Sequence, residues 1–362
     1  MTASPWDRRR ACSIADPSDA LIWATVAPNS TEILDTCLGK RHSGDPVQWL
    51  SLRELFGTEF CMLFGRNWRL SYTLAEAMIL ITGATGTNGT EIIKLLACQG
   101  IGVRALVRSR DRATAIANLP GVELMTGDFR DYASIRTALS GVERAFLVTN
   151  SSEEAQSLQC RFVDAAGRTG LQHIVKLSQL GADPASPVRF LRYHAEVENV
   201  IRTSGIKYTF LRPNLFMQGL LVFRSTIAAT GKFFAAAGEA KVSVVDVRDI
   251  AAAAAATLTQ PGHEGRTYDL TGPEALTHTE MAAQLSDAAG RRISFVDITP
   301  EAMRATLLDA GLPPWQADGL LEDYAHYRRD EASLVASGVE EATGASPRSF
   351  AVFVRDYAPL FS

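Results

Sequence analysis

Three glycines spaced as GxxGxxG are the strongest chemical signal in the sequence, and they lie between a short apolar run and a helical pattern. Gly83 permits a tight turn, Gly86 lets the backbone approach a ligand without a Cβ in the way, and Gly89 lets a helix pack close to a strand. The free amides and the positive dipole end of that helix favour phosphate groups. An ordinary glycine turn has the same spacing, but the strand before it and the βα series after it favour a pyrophosphate cradle. The residues that we expect to contact a dinucleotide here are Gly83, Thr85, Gly86, Thr87, Asn88 and Gly89.

The end of the second apolar run decides which dinucleotide fits. An acidic residue at this position binds the ribose 2′-hydroxyl of NAD, whereas an arginine accommodates the 2′-phosphate of NADP. The run over residues 103–107 is followed by Arg108, and no carboxylate stands at its tip. We therefore predict NADP as the cofactor, with Arg108 as the main phosphate ligand and Arg110 or Arg112 in support, unless these arginines are only solvated surface residues. Asp111 lies a few residues further on, which leaves NAD possible.

The elements that must position these residues alternate along the chain from Met78 onward. Short apolar runs and helical patterns follow one another through six βα units, which is typical of a parallel sheet covered by helices on both faces. The predicted fold class is α/β, a doubly wound parallel sheet of the Rossmann type with a smaller C-terminal substrate lobe. We expect residues 78–214 to form mainly the Rossmann core and residues 215–362 mainly the lobe, over the strand ends where ligands enter such sheets. The lobe pattern predicts strands at residues 242–245, 267–270 and 293–296, and a last helix that starts at Ser346-Pro347.

The first 77 residues differ from the rest of the sequence. They contain scattered tryptophans and turn-forming clusters but no sustained hydrophobic period. Met78 stands directly before the first predicted strand, where a dinucleotide-binding domain commonly begins. We therefore predict that residues 1–77 are a poorly ordered extension, or the product of a start codon assigned too early, rather than a packed domain.

The bulk composition argues against several classes of function. The chain has 362 residues, 46% of them hydrophobic, and a net charge of −4, so it can bury a core but has no basic surplus for nucleic acid. No uncharged apolar run reaches the roughly 18 residues of a membrane span, and the N-terminus lacks the pattern of a secretory signal. The five cysteines and the histidines show no spacing typical of a metal site or a disulfide framework. We expect a cytoplasmic protein, monomer or homodimer, with a small-molecule substrate and with no metal, nucleic acid or membrane as partner.

Further motifs follow the glycine loop in a fixed order. They are Thr82-Gly83-Ala84-Thr85-Gly86, Ala105-Leu106-Val107-Arg108, Gly127-Asp128-Phe129, His194 to Glu198, Ser204-Gly205, Tyr208 to Gln218 and Val245 to Ile250. In this order they resemble the NmrA-like branch of the atypical short-chain dehydrogenases, and the likeness runs from Met78 to nearly the end of the chain. That branch includes NADPH-dependent quinone, azo-dye and triphenylmethane-dye reductases as well as non-catalytic redox sensors. The resemblance is therefore specific for the family but not for a substrate.

The resemblance also implies positions for the rest of the cofactor site, near the carboxyl ends of the third, fourth and sixth strands. A plain strand followed by a loop is the alternative interpretation at the fourth strand. The implied residues are Asp128 and Phe129 beside the adenine, Thr149 and Asn150 along the nicotinamide ribose, and Pro213 and Phe216 bordering the nicotinamide.

The sequence departs from the family where the usual proton donor should be. Short-chain dehydrogenases normally place a Tyr and a Lys four residues apart on one helix face, where the Lys lowers the pKa of the phenol so that it can protonate a carbonyl. In the extended members of the class, a Glu stands four positions after the Lys. Counting back from Glu198 therefore puts His194 at the Lys position and Phe190 at the Tyr position. Tyr193 is adjacent, but one residue turns a helix by about 100°, so we expect it to face elsewhere.

Without that pair, the feasible chemistry is hydride transfer to an acceptor that needs little protonation: a quinone, an azo or iminium bond, or a dye cation. Ser178, at the end of the fifth strand, and His194 are the predicted catalytic residues, which would polarise the acceptor or relay a proton. A histidine bonded within the helix layer and a serine that caps a strand end are the simpler alternatives. Lys176 lies in the middle of the fifth strand, where we expect a side chain that snorkels to the surface.

The sequence therefore predicts an NADP(H)-dependent oxidoreductase that reduces a small conjugated acceptor. The alternative is a non-catalytic NADP(H)-binding redox sensor that acts through a protein partner, which the missing Tyr and Lys would suit. A lyase, isomerase or epimerase would need acid and base residues that the sequence does not show.

Overall fold

The structure, a computed structural model, describes residues 78–361, and the predicted extension at residues 1–77 lies outside the described residues. No helix in this part of the chain is long and apolar enough to cross a lipid bilayer. The strands are β1 (Met78–Ile81), β2 (Val103–Val107), β3 (Val122–Thr126), β4 (Val142–Leu147), β5 (His173–Leu177), β6 (Lys207–Pro213), β7 (Lys232–Ala235), β8 (Arg266–Leu270) and β9 (Ser294–Asp297). The α-helices are α1 (Thr87–Cys98), α2 (Tyr132–Leu139), α3 (Ala155–Ala166), α4 (Arg189–Thr203), α5 (Arg224–Thr230), α6 (Val247–Thr259), α7 (His278–Ala289), α8 (Pro300–Asp309), α9 (Pro314–Arg328), α10 (Gly338–Thr343) and α11 (Phe350–Tyr357).

Seven parallel strands form the main sheet in the order β3-β2-β1-β4-β5-β6-β8. The chain moves outward from β1 to β3 and restarts at β4 on the other side of β1, so the order reverses between β1 and β4. Apolar side chains of the strands are buried on both faces, where α1 and α6 cover one face and α2, α3 and α4 cover the other. The predicted doubly wound parallel sheet is confirmed. Ligands enter sheets of this kind at the point of reversal.

Residues after 214 contribute to both parts of the molecule. β8 pairs with β6 at the edge of the main sheet, and α6 packs its buried alanines against α1 in the core. β7 and β9 instead pair with each other in a separate two-stranded parallel sheet. The lobe that we propose over the strand ends is therefore built from stretches of chain on either side of α6 and β8.

Several local predictions for the lobe are wrong. Residues 242–245 form isolated bridges to Leu276 and Phe216 instead of a strand. The last helix begins at Phe350 instead of Ser346. The sequence patterns do not predict α8 or α9. In α9 the reason is that the buried positions include a glycine, an aspartate and a tyrosine rather than an aliphatic stripe.

The hydroxyl of Thr82 ties the ends of β1 and β4 together at the reversal. Thr82 is 1% exposed, and its Oγ1 lies 2.9 Å from the carbonyl oxygen of Phe146 and 3.0 Å from that of Val148, to which it donates. Oγ1 also accepts a hydrogen bond from the amide of Val148 at 2.9 Å. One side chain thus satisfies backbone groups just past the end of β4, where the sheet opens.

Replacing Thr82 by valine keeps the shape of the side chain but removes its oxygen. The amide of Val148 then loses its partner, and the free energy of unfolding should fall by about 1–3 kcal/mol. Urea denaturation of the full chain, followed by circular dichroism, measures this loss. Thr137→Val is the control, since the Thr137 hydroxyl lies on an exposed helix surface and bonds to the carbonyl of Ala133. Equal losses in the two variants would show that the Thr82 contact does not hold the strand ends.

Candidate active site

The glycine loop between β1 and α1 has no room for a side chain at Gly83 or Gly89. Gly83 has a positive φ of 58°, and a Cβ added there would lie 2.6 Å from Cγ1 of Val148. A Cβ at Gly89 would lie 2.3 Å from the carbonyl oxygen of Gly83, far inside contact distance. Gly86 is the N-cap of α1, and no side chain caps the helix there. The first amides of α1 are therefore left to face an anion, and the loop fits a pyrophosphate.

Two cavities meet at this loop, which we call the glycine cradle. The arginine cavity, of about 430 Å³, extends over β2 and β3, and the histidine cavity, of about 400 Å³, extends over β5 and β6 towards the lobe. Each predicted site residue lines at least one of them. Thr85, Arg108, Asp128 and Phe129 line the arginine cavity; Thr87, Asn88, Gly89, Ser178, His194, Pro213 and Phe216 line the histidine cavity; and Gly83, Gly86, Thr149 and Asn150 line both.

The arginine cavity carries positive charge at the end of β2. Arg108 and Arg112 line it, and within the described residues neither makes a hydrogen bond or an ion pair. Arg110 does not line the cavity, because its Nη2 donates to the carbonyl oxygen of Leu124 at 2.9 Å. Asp111 does not line it either. This arrangement suits a 2′-phosphate better than a bare ribose hydroxyl.

The far wall of the arginine cavity is aromatic. The ring of Phe129 is 9% exposed and stacks on Phe162 with centroids 5.3 Å apart. Oδ1 of Asp128 accepts a hydrogen bond from the amide of Arg130 at 2.8 Å, which holds the turn after β3. A flat apolar ring system fits against such a wall.

A buried carboxylate lies beneath the histidine cavity. Glu198 is fully buried and accepts hydrogen bonds from Arg212 at 2.6 and 2.9 Å and from Arg202 at 2.8 Å. Burial alone would raise the pKa of Glu198, but the bonds from Arg212 and Ser178 outweigh it and lower that pKa. Ser178 donates to Glu198 at 2.6 Å. The proton of the Ser178 hydroxyl is thus committed to Glu198, and at the cavity wall the hydroxyl can act as an acceptor.

Lys176 does not snorkel, so that prediction is wrong. Its side chain is fully buried, and Nζ donates to Nδ1 of His194 and to the carbonyl oxygen of Leu177, both at 2.9 Å. The ammonium group stays inside because it finds these acceptors in the core. Burial lowers the pKa of Lys176 to about 7.

His194 is a neutral hydrogen-bond donor in the cavity wall. Burial, followed by the nearby Lys176 and Arg212, lowers its pKa well below the ordinary value. A protonated Lys176 has no lone pair, so Nδ1 of His194 must then accept its hydrogen bond and the ring proton sits on Nε2. His194 lines the histidine cavity, so this N–H is a group that can polarise an acceptor bound there.

Tyr193 lines the same cavity, and the prediction that it faces elsewhere is wrong. Its ring centroid lies 4.1 Å from that of His194, and its hydroxyl lies 3.1 Å from Oγ of Ser151. The cavity reaches around the first turns of α4, so neighbouring positions on the helix both contact it. Burial raises the pKa of Tyr193, which keeps the phenol neutral.

The lobe closes the cavity with residues that the sequence did not point to. Leu320, Asp323 and Tyr327 of α9 line it. α9 can lie against α4 because Gly319 faces Phe190, where a Cβ would lie 2.4 Å from the aromatic ring. The only sequence signal for these residues is an aspartate and a tyrosine four positions apart, and this pattern does not by itself indicate a ligand.

Comparisons with known proteins agree with this geometry. The chain is 39% identical over 284 residues to an NAD(P)H azoreductase of Xenophilus azovorans, which is 78% of this chain and 99% of that protein. A structure of an NADPH-dependent quinone oxidoreductase of Escherichia coli with NADPH matches at 30% identity and a TM-score of 0.70, over 77% of this chain and 99% of that chain. The triphenylmethane reductase of Citrobacter sp. with NADP(H) matches at 27% identity and a TM-score of 0.68, with the same coverage.

More distant matches share the fold alone. A structure of NmrA, a negative transcriptional regulator, in complex with NAD is 18% identical to this chain, with a TM-score of 0.64.

The family of this chain follows from a family model, because the model of the NmrA-like family matches residues 75–335. The resemblance seen in the sequence motifs is thereby confirmed, and the chain belongs to the NmrA-like family.

Proposed function

We propose that this protein is an NADPH-dependent reductase that transfers a hydride to a small conjugated acceptor such as a quinone, an azo compound, an imine or a dye cation. The observation that carries the proposal is the glycine cradle shared by two cavities, one with free arginines and the other with a neutral histidine in its wall. Two of the enzymes compared above are named as an NAD(P)H azoreductase and an NADPH-dependent quinone oxidoreductase, and this chain is an NAD(P)H-dependent oxidoreductase of the same family.

The cofactor site that we propose follows the two cavities. The first amides of α1 bind the diphosphate, and Arg108 with Arg112 binds the 2′-phosphate of NADP; NAD remains a possible second cofactor. Asn88 supports the fit, because its Oδ1 is buried without a hydrogen-bond partner among the described residues and can accept from a ribose hydroxyl. The remaining contacts are proposed at Gly83, Thr85, Gly86, Thr87, Gly89, Asp128, Phe129, Thr149, Asn150, Pro213 and Phe216.

The chain's own residues bind, orient and polarise the acceptor. Bound NADPH supplies the hydride. Nε2–H of His194 donates to an acceptor atom that gains negative charge, and Lys176 holds the ring in the tautomer that this requires. Ser178, whose proton is committed to Glu198, accepts a hydrogen bond at the same wall. Apolar side chains such as Phe190, which line the cavity, exclude water from the reacting atoms.

The non-catalytic sensor is the weaker alternative. Among the solved structures, the quinone oxidoreductase and the triphenylmethane reductase are 30% and 27% identical to this chain, whereas the regulator is 18% identical. Hydride transfer also does not depend on the missing Tyr and Lys when the acceptor needs little protonation. We further propose that the protein acts in the cytoplasm, as a monomer or homodimer, and that residues 1–77 are an extension outside the catalytic domain.

An acceptor panel tests the proposed activity directly. Quinones, azo dyes and triphenylmethane dyes added to the full chain with NADPH should each cause loss of the NADPH absorbance band. NADH should support slower turnover at the same concentration. Binding of NADPH without turnover across the whole panel would contradict the reductase and favour the sensor.

Arg108→Ala should weaken NADPH binding roughly tenfold while leaving NADH binding nearly unchanged, because the lost contact is to a phosphate that NADH does not have. Fluorescence titration with both nucleotides measures the two dissociation constants. Arg110→Ala is the matched control: it removes an arginine from the same loop that bonds to the backbone of Leu124 and does not line the cavity. An equal loss for both nucleotides in Arg108→Ala would remove the cofactor assignment.

His194→Phe should lower kcat for a neutral quinone by about 10- to 100-fold without changing KM for NADPH, because it removes the proposed donor but keeps a flat ring. Steady-state kinetics on the full chain give both constants. Tyr193→Phe, which removes the neighbouring hydroxyl, should keep most of the activity. If Tyr193→Phe instead loses activity and His194→Phe keeps it, the phenol is the donor.

A further inference from the structure

Asp323 places a carboxyl group of the lobe in the wall of the histidine cavity. Asp323 lies on α9, is 5% exposed and lines the cavity together with Ser178 and His194. Gln179 donates to its Oδ1 at 3.0 Å, while Oδ2 makes no hydrogen bond within the described residues. No Lys or Arg side chain of residues 78–361 pairs with it. Within this part of the chain, no cation therefore compensates the charge of this buried carboxyl group.

Asp323 is also the sole Asp, Glu, Lys or Arg among the described residues that line this cavity. The rest of the lining consists of apolar, aromatic, amide, hydroxyl and imidazole groups. Among the described lining residues, Asp323 is therefore the side chain that can bring a full charge into direct contact with an acceptor near neutral pH.

The groups around Asp323 allow its ionisation to change. Burial raises its pKa to about 7, the bond from Gln179 opposes this rise, and the charge of Glu322 adds to it. Glu322 itself is paired with Arg189 of α4 at 2.6 Å. Lys176 lies behind His194 and does not line the cavity. The other titratable groups around Asp323 are Tyr193 on α4 and Tyr324 and Tyr327 on its own helix, and His194 lines the same cavity.

We propose that Asp323 selects the acceptor by its charge. The ionised carboxylate pairs with a cationic acceptor, and the protonated carboxyl group donates a hydrogen bond to an oxygen or nitrogen of a neutral acceptor. The inference rests on the proposed reductase function and adds to it a residue that determines specificity. It also gives the lobe a chemical role besides closing the cavity.

The two acceptor classes need different help from this group. A dye cation that takes up a hydride becomes neutral and needs no proton, so a carboxylate serves by attraction alone. A neutral quinone that takes up a hydride becomes a hydroquinone monoanion and needs one proton, which the Asp323 O–H can supply and then regain from water. A quinone has two oxygens, so His194 and Asp323 do not compete for one atom.

The test compares kcat/KM for a triphenylmethane dye cation and for a neutral benzoquinone, with saturating NADPH and the full chain. Between about pH 6 and about pH 8, wild-type kcat/KM should rise for the cation and fall for the quinone, which changes their ratio by roughly tenfold or more. Asp323→Asn should remove most of this change, because an amide does not titrate; the change that remains is assigned to Lys176, whose pKa is also about 7 and which bonds to His194. Asp318→Asn is the matched control on the same helix, since Asp318 pairs with Arg304 at 2.7 Å outside the cavity, and it should keep the wild-type response.

A second variant covers the case in which Asp323→Asn folds poorly. Gln179→Leu removes the hydrogen bond that favours the ionised carboxylate, so the pH at which the two acceptors exchange preference should move upward. Turnover of both acceptors with parallel pH trends in the wild type, or a ratio that changes as much in Asp323→Asn as in the wild type, would overturn the inference and leave the reductase intact. If neither acceptor oxidises NADPH, the proposed function fails and this inference fails with it.

Discussion

The close approach of α1 to the end of β1 is the constraint on which the site depends. Gly89 rests against the carbonyl group of Gly83, and a side chain at Gly89 would push the helix away from the strand. A side chain at Gly83 would instead collide with Val148, just past the end of β4. Because the helix starts at this point without a side-chain cap, its first amides open onto the reversal of the sheet. Both cavities share this loop, so one backbone geometry sets the distance between the arginines at one end and the histidine at the other.

The histidine cavity stands on a layer of buried polar groups. Glu198 binds Arg212, Arg202 and Ser178, and beside it Lys176 binds His194. Buried charges of this kind cost free energy unless each is paired, and here each finds a partner within the layer. The arrangement fixes the His194 ring, so a neutral imidazole lines the cavity from α4.

The lobe supplies the part of the cavity wall that we propose contacts the acceptor. α9 supplies Leu320, Asp323 and Tyr327, and Gly319 lets this helix come close to Phe190. The core alone would leave an open cleft above the strand ends. Since none of the proposed cofactor contacts lies on α9, variation in this helix can change the acceptor without disturbing the cofactor.

The sequence by itself determined the series of βα units in the core, the cradle and the arginine at the end of β2. These features follow from local patterns: apolar runs of strand length, glycines at fixed spacing and one residue type directly after a strand. It also placed Ser178 and His194 at the end of β5 and on α4, close enough to line one cavity.

Only the tertiary structure decided the burial and the contacts of side chains whose partners are distant in the chain. Lys176 is buried because His194, eighteen positions away, accepts its hydrogen bond. Tyr193 contacts the cavity because the cavity curves around α4, which helical spacing alone does not reveal. Asp323 reaches the site through a helix whose sequence has no apolar stripe, and its contact with Gln179 joins residues 144 positions apart. Local spacing encodes backbone geometry, whereas the protonation and direction of a buried group depend on what the whole fold packs around it.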